Sequence, residues 1–165
     1  DPSELASDLL EQSPELTPAQ FVDQLKQKEA FADALQFIVY ALPCREAIWL
    51  ACLAVRKSFI QTPKATDSTA LEITEKWVFD PSEDNHALLE TAALGTKMKT
   101  AAGMAAAAAN WSKLDSPDEQ FCLSSDAAWA SISLAFIYAP PEDTQQKNLF
   151  FLNKAIDIAN GGSGG

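Results

Sequence analysis

Histidine is almost missing from this sequence of 165 residues, His86 being the only one. That takes away the commonest general base and metal ligand at neutral pH. His86 falls among Glu83, Asp84 and Asn85 in the first turn of an expected helix and reads as a surface residue. The three cysteines, Cys44, Cys52 and Cys122, form no CxxC pair and have no histidine nearby, so neither a disulfide framework nor a zinc site is indicated, and a reducing compartment fits. HExxH, EF-hand, GxSxG, GxGxxG and GxxxxGK[ST] patterns are all absent. The expectation is a protein that is not an enzyme and uses no metal or cofactor.

Basic residues are also scarce. Twelve Lys and Arg stand against 23 Asp and Glu, a formal charge of −11. Contact with phosphates depends on clustered cations, so nucleic acid and anionic membranes are poor partners, whereas a basic protein or peptide is not. Residues 1–40 hold eight of the acids against Lys26 and Lys28, an acidic face that suits solubility. The longest uncharged run, Ala127 to Pro141, is too short and too interrupted to span a bilayer. No secretory leader pattern is visible in the chain, which begins at Asp1, and a soluble, cytoplasmic protein is expected. Strand signals are lacking too: there are no alternating β-branched runs and no Asn-Gly or Asp-Gly hairpin turn between apolar segments.

What remains is helical. With 47% apolar residues, the length suits one filled core. The pattern predicts an all-α, single-domain bundle of about seven to eight helices over residues 1–160. Leu5, Leu9 and Leu10 mark a short amphipathic piece ended by Pro14, so residues 1–16 are expected to be a mobile extension. Thr17-Pro18-Ala19-Gln20 has the form of a capping box with proline in the first turn. Apolar positions from Phe21 to Val39 keep helical spacing in two segments divided near Glu29, and Pro43 opens another helix that runs to about Phe59.

A half-buried helix is expected over Ala70–Phe79. Asp80-Pro81-Ser82-Glu83 follows as a start signal, with Asp80 as the cap and Glu83 closing a capping box for a helix over Ser82–Ala93. Thr100 leads into an alanine run ending at Trp111, placed at the centre of the bundle because small side chains let neighbours approach closely. Ser116–Glu119 suggests a short turn before a helix from Ser125 that Pro140-Pro141 stops. The last helix starts near Thr144 and is capped at Asn160-Gly161. Residues 161–165, Gly-Gly-Ser-Gly-Gly, have the composition of a flexible engineered linker and are left out of the expected fold.

The most informative stretch is Leu42–Arg56, where Arg45, Trp49, Cys52 and Arg56 fall within roughly 60° on one helix face. Two readings suit such a stripe. Arginine stems can lie across an indole and bond carboxylates within the fold, with Glu46, Asp80 and Glu83 as candidate counter-charges. Alternatively, Arg45, Trp49 and Arg56 form a partner-binding site, two bidentate donors flanking an aromatic anchor.

The same segment, LPCREAIWLACLAVR, resembles the LPxREAVWWACxxVR element of an uncharacterised bacterial domain family. Trp77–Glu83 is similar to that family's WVxxPxE element, and Thr100–Gly103 through Trp111-Ser112 to its TPAG…WS element. The resemblance spans roughly residues 38–140. Ala101 stands where the family has proline, and Lys113-Leu114-Asp115 and Phe121-Cys122-Leu123 replace its Gly-Gly-Ser turn and proline-rich loop. The resemblance carries over no catalytic residue. It implies a companion of type VI secretion genes, an adaptor or chaperone for an effector or spike component. The competing expectation is an acidic immunity protein that neutralises a toxin.

Overall fold

The computed structural model of the chain describes residues 3–59, 62–115, 122–137 and 144–165. Ten helical segments follow one another: α1 (Glu4–Gln12), α2 (Pro18–Gln27), α3 (Phe31–Ala41), α4 (Cys44–Ser58), α5 (Ala65–Phe79), α6 (Glu83–His86), α7 (Leu89–Gly95), α8 (Ala101–Trp111), α9 (Leu123–Ile137) and α10 (Thr144–Ala159). No strand occurs among the described residues, and the architecture is an all-α bundle in one domain. Counting the single turn of α6, the helices slightly outnumber the seven to eight expected.

Local chemistry explains most boundaries. Thr17 and Gln20 form the expected capping box, the Gln20 amide donating to Thr17 Oγ1 at 3.3 Å and the Thr17 amide to Gln20 Oε1 at 2.9 Å. The division between α2 and α3 falls at Glu29, which takes φ +57° while the Ala30 amide reaches back to Leu25 O at 2.9 Å. This is a Schellman closure with glutamate where glycine is usual. Pro43 opens α4, and Phe59 closes it. α5 begins five residues before the expected start, because the polar turn Ala65–Thr69 is carried as its partly exposed first turn, with Asp67 accepting from Thr100 Oγ1 at 2.7 Å. The expected helix over Ser82–Ala93 is divided into α6 and α7.

α8 sits at the centre, packed against α9, α7, α5 and α4. Ala102, Gly103 and Ala105–Ala109 are all buried, so neighbours close on it from every side. α9 offers small residues in return, with Ala127, Ala128, Ser131 and Ala135 buried and Ser131 Oγ donating to Ala101 O at 2.7 Å. α4 forms the second inner layer, against α9, α5, α8 and α10. The bulk comes from side chains such as Leu35, Ile48, Leu50, Leu89, Ile132 and Phe151, each almost wholly excluded from solvent.

The first helix does not project from the bundle. Ala6 and Leu9 are buried, and Ser3 Oγ donates to Asp33 Oδ2 on α3 at 2.7 Å. The expected short turn at Ser116–Glu119 and the expected stop at Pro140-Pro141 lie outside the described residues. The terminal Gly-Ser segment, expected to be free linker, lies folded back against α4 and α10. At its start Gly161 and Gly162 complete a Schellman cap on α10, their amides reaching Ile158 O and Asp157 O at 2.9 Å each.

Candidate functional site

The Arg/Trp face of α4 lies along α5, which runs antiparallel to it. Arg56 meets Glu75, and one end further on Trp49 meets Phe79. The Arg56 guanidinium is bidentate on Glu75, with Nε donating to Oε1 at 3.0 Å and Nη2 to Oε2. This contact holds the guanidinium even further above its usual range. Between the two pairs, Cys52 is completely buried, and desolvation pushes its thiol strongly upward, away from the reactive thiolate. The continuous stripe seen in sequence is therefore interrupted by a core residue.

The counter-charge suggested by sequence is also different. Glu75, not Glu46, Asp80 or Glu83, neutralises Arg56. Asp80 ends α5 rather than capping the next helix. Its carboxylate receives Ser82 Oγ at 3.3 Å and Asn85 Nδ2 at 2.9 Å, and its carbonyl receives the same amide at 2.7 Å. Ser82 stands at the α6 N-cap without a side-chain bond to a free amide, so the expected capping box does not form. Glu83 instead accepts from Lys113 Nζ at 2.5 Å, which holds its carboxyl below the usual range. Asn85, buried with both hydrogen-bond acceptors on Asp80, is the residue that joins α5 to α6, and in sequence it stands only as one polar residue in the first turn of an expected helix.

Trp49 is half-buried. Its ring meets Phe79 edge-on with centroids 5.3 Å apart, and its indole Nε1–H donates to Ser163 O at 2.8 Å. Phe79 itself is 74% exposed, the most exposed large apolar side chain among the described residues. Arg45, one helical turn before Trp49, is exposed and has no ion pair among the described residues. The structure thus brings Trp49, Phe79 and the terminal segment together, leaves Arg45 beside them, and turns Arg56 toward Glu75. Phe79 carried no separate signal in sequence, because an aromatic at the end of an amphipathic helix looks like core.

Other polar groupings are built into the fold. Cys44 at the start of α4 adjoins the start of α9, where Cys122 Sγ contacts Asp115 Oδ2 at 3.2 Å and Ser124 Oγ at 3.3 Å. Burial raises the Cys44 thiol above its ordinary range. Tyr40 joins the same corner, its hydroxyl donating to Asp126 Oδ1 at 2.5 Å. His86 is not a free surface residue: Nε2 lies 3.2 Å from Asn110 O, and its ring meets Trp77 edge-on at 6.4 Å. Among the described residues, no group of three His, Cys, Asp or Glu side chains is placed to hold a metal ion. No helix among them is long and apolar enough to cross a membrane.

These features define a helical domain whose most exposed aromatic surface is assembled from the ends of two antiparallel helices. The chain belongs to a family of unknown function, DUF6931, whose model matches residues 21–159. No protein of curated function matches it, nor does any solved structure.

Proposed function

We propose that this protein is a non-enzymatic, protein-binding adaptor or chaperone acting in the cytoplasm on a type VI secretion effector or spike component. The observation that supports a binding role is the surface at the α4–α5 ends. A Phe79 ring 74% exposed against a half-buried Trp49, with Arg45 beside them, is the combination enriched at interaction hot spots. Arg56 contributes by orienting α5 through Glu75 rather than by touching the partner. The secretion context rests on the resemblance of residues 38–140 to a family that accompanies type VI genes.

The test is recovery of partners from the organism of origin with tagged protein, followed by binding measurements on the purified candidate. Arg45→Ala/Phe79→Ala is the comparison, after its melting curve is shown to match that of the parent chain. The adaptor reading requires an effector or spike component whose affinity drops about tenfold or more in the double variant. Recovery of a toxin's catalytic domain, with its activity inhibited, would instead establish the immunity function that the −11 charge also suits. Equal binding by parent and variant would refute this surface as the site.

A further inference from the structure

At the end of α5 opposite Phe79, the starts of α5 and α8 and the end of α4 leave a cavity of about 500 Å³, closed on one side by Leu134 of α9. Sites for small molecules usually measure about 300–1,000 Å³. Phe59, Pro63, Ala102 and Leu134 give this one an apolar wall, and Thr62, Lys64 and Lys99 give it polar groups. Two other clefts differ in kind. One of about 240 Å³ between α2, α3 and α10, and one of about 360 Å³ between α5 and α7, are largely apolar and have no cation in their linings.

Charge sets the α5–α8 cavity apart within an acidic molecule. Residues 57–64 and 97–99 contain Lys57, Lys64, Lys97 and Lys99 and no acid, in a chain whose net charge is −11. Lys57 is turned away, its ammonium 5.5 Å from the centroid of the Phe150 ring. Lys64 and Lys99 line the cavity, are exposed, and form no ion pair among the described residues. Asp67 is the one carboxylate in the lining, and it is engaged, Oδ1 accepting from Thr100 Oγ1 at 2.7 Å. Ser58 is engaged as well, its Oγ donating to Val55 O at 2.7 Å. Two ammonium groups against one carboxylate leave the lining with a net positive charge, and an ammonium group can only donate.

We propose that this cavity binds a small organic anion with an apolar body, its carboxylate or phosphate held by Lys64 and Lys99 and its chain lying against Phe59, Pro63 and Leu134. A neutral or cationic molecule of the same shape would cover the wall without giving the ammonium groups an acceptor. An inorganic anion would satisfy the ammonium groups and leave the wall wet. Partial enclosure by apolar side chains strengthens the attraction between unlike charges beyond its value at an open surface. The site is separated from Phe79 by most of the length of α5, roughly 20 Å at about 1.5 Å per residue, so it stands independently of the partner-binding surface.

Titration of the whole chain with octanoate, octyl phosphate, octan-1-ol, octylammonium and inorganic phosphate, each organic probe below its micelle concentration, tests this by calorimetry and nitrogen-15 NMR. Octanoate or octyl phosphate should bind with a Kd of about 1 mM or tighter, shifting the amide resonances of Thr62, Lys64 and Lys99–Ala102 and leaving that of Phe79 in place. The tighter of the two identifies the head group as carboxylate or phosphate. The alcohol, the ammonium and inorganic phosphate should each bind at least about tenfold more weakly. Lys64→Gln/Lys99→Gln changes two exposed side chains and should melt like the parent, but it should weaken the anionic probe at least about tenfold and erase the preference over octan-1-ol.

Equal binding of octylammonium or octan-1-ol by the parent chain would overturn the inference, as would undiminished anion binding by the double variant. Shifts confined to other parts of the chain, or no anion binding at concentrations of about 10 mM, would overturn it too. The adaptor reading is decided separately, at Arg45 and Phe79.

Discussion

Gly103→Ala should destabilise the fold even though alanine is the better helix former. Gly103 is the third residue of α8 and is buried where α8 passes the turn after α7. A Cβ there would overlap Thr96 Oγ1 and approach Thr96 Cβ to 2.9 Å and the Met98 Cα to 3.4 Å. The turn cannot move away easily. Lys97 and Met98 already hold φ of +58° and +51°, and the Met98 amide is bonded to Ala93 O at 3.1 Å. Forcing one methyl group into a packed site costs about 1–3 kcal/mol. Displacing the Thr96 hydroxyl from Ala93 O, now 2.8 Å away, costs about 1 kcal/mol more.

Against this stands a propensity gain of at most about 1 kcal/mol. The expected net loss is about 1–3 kcal/mol, or roughly 2–12 °C in Tm for a domain of this size. Urea denaturation followed by far-UV circular dichroism measures it, with thermal melts alongside. Thr96→Gly removes the obstructing side chain, so the double variant should recover part of the cost, seen as a coupling energy of about 1 kcal/mol or more. A Gly103→Ala chain as stable as the parent, or a double variant with additive losses, would refute the close approach between this turn and α8.

Glu29→Gly should stabilise the chain by about 0.5–1 kcal/mol, because it relieves a left-handed conformation that costs a side-chain-bearing residue about 1–2 kcal/mol and gives back part of that as unfolded-state entropy. A lower urea midpoint for this variant would contradict the Schellman closure between α2 and α3. Tyr40, pushed up to about 12 by burial and by Asp126, has a folded pKa above its unfolded value of about 10. Its contribution is fully present below pH of about 10 and is lost as pH rises toward about 12. Urea midpoints measured from pH 9 upward should therefore fall more steeply for the parent than for Tyr40→Phe, and parallel profiles would count against the Tyr40–Asp126 bond.

Much of the helical architecture is written locally. Thr17 with Gln20, Pro43 before Cys44, Thr100 before the alanines and Asn160-Gly161 after Ile158 act within one or two turns, so their effect can be read without knowing what packs nearby. The central place of α8 is legible for a similar reason: a helix of alanines has no polar face to give to solvent. Asp80-Pro81-Ser82-Glu83 shows where local reasoning fails. The start signal is present, but Asn85 competes for the Asp80 oxygens and Lys113, thirty residues away, draws off Glu83.

The sequence alone determined that the chain is helical, acidic and built around small residues, since composition, capping and periodicity depend on neighbours along the chain. Tertiary structure decided the character of the surface. Angular spacing put Arg45, Trp49, Cys52 and Arg56 on one face, but only the antiparallel approach of α5 buries Cys52, assigns Arg56 to Glu75 and leaves Phe79 exposed beside Trp49. A run of glycines likewise reads as freedom when seen alone. At Gly164 it becomes a close fit only when Leu53 and Ile158, brought together by the packing of α4 and α10, occupy the space where a side chain would stand.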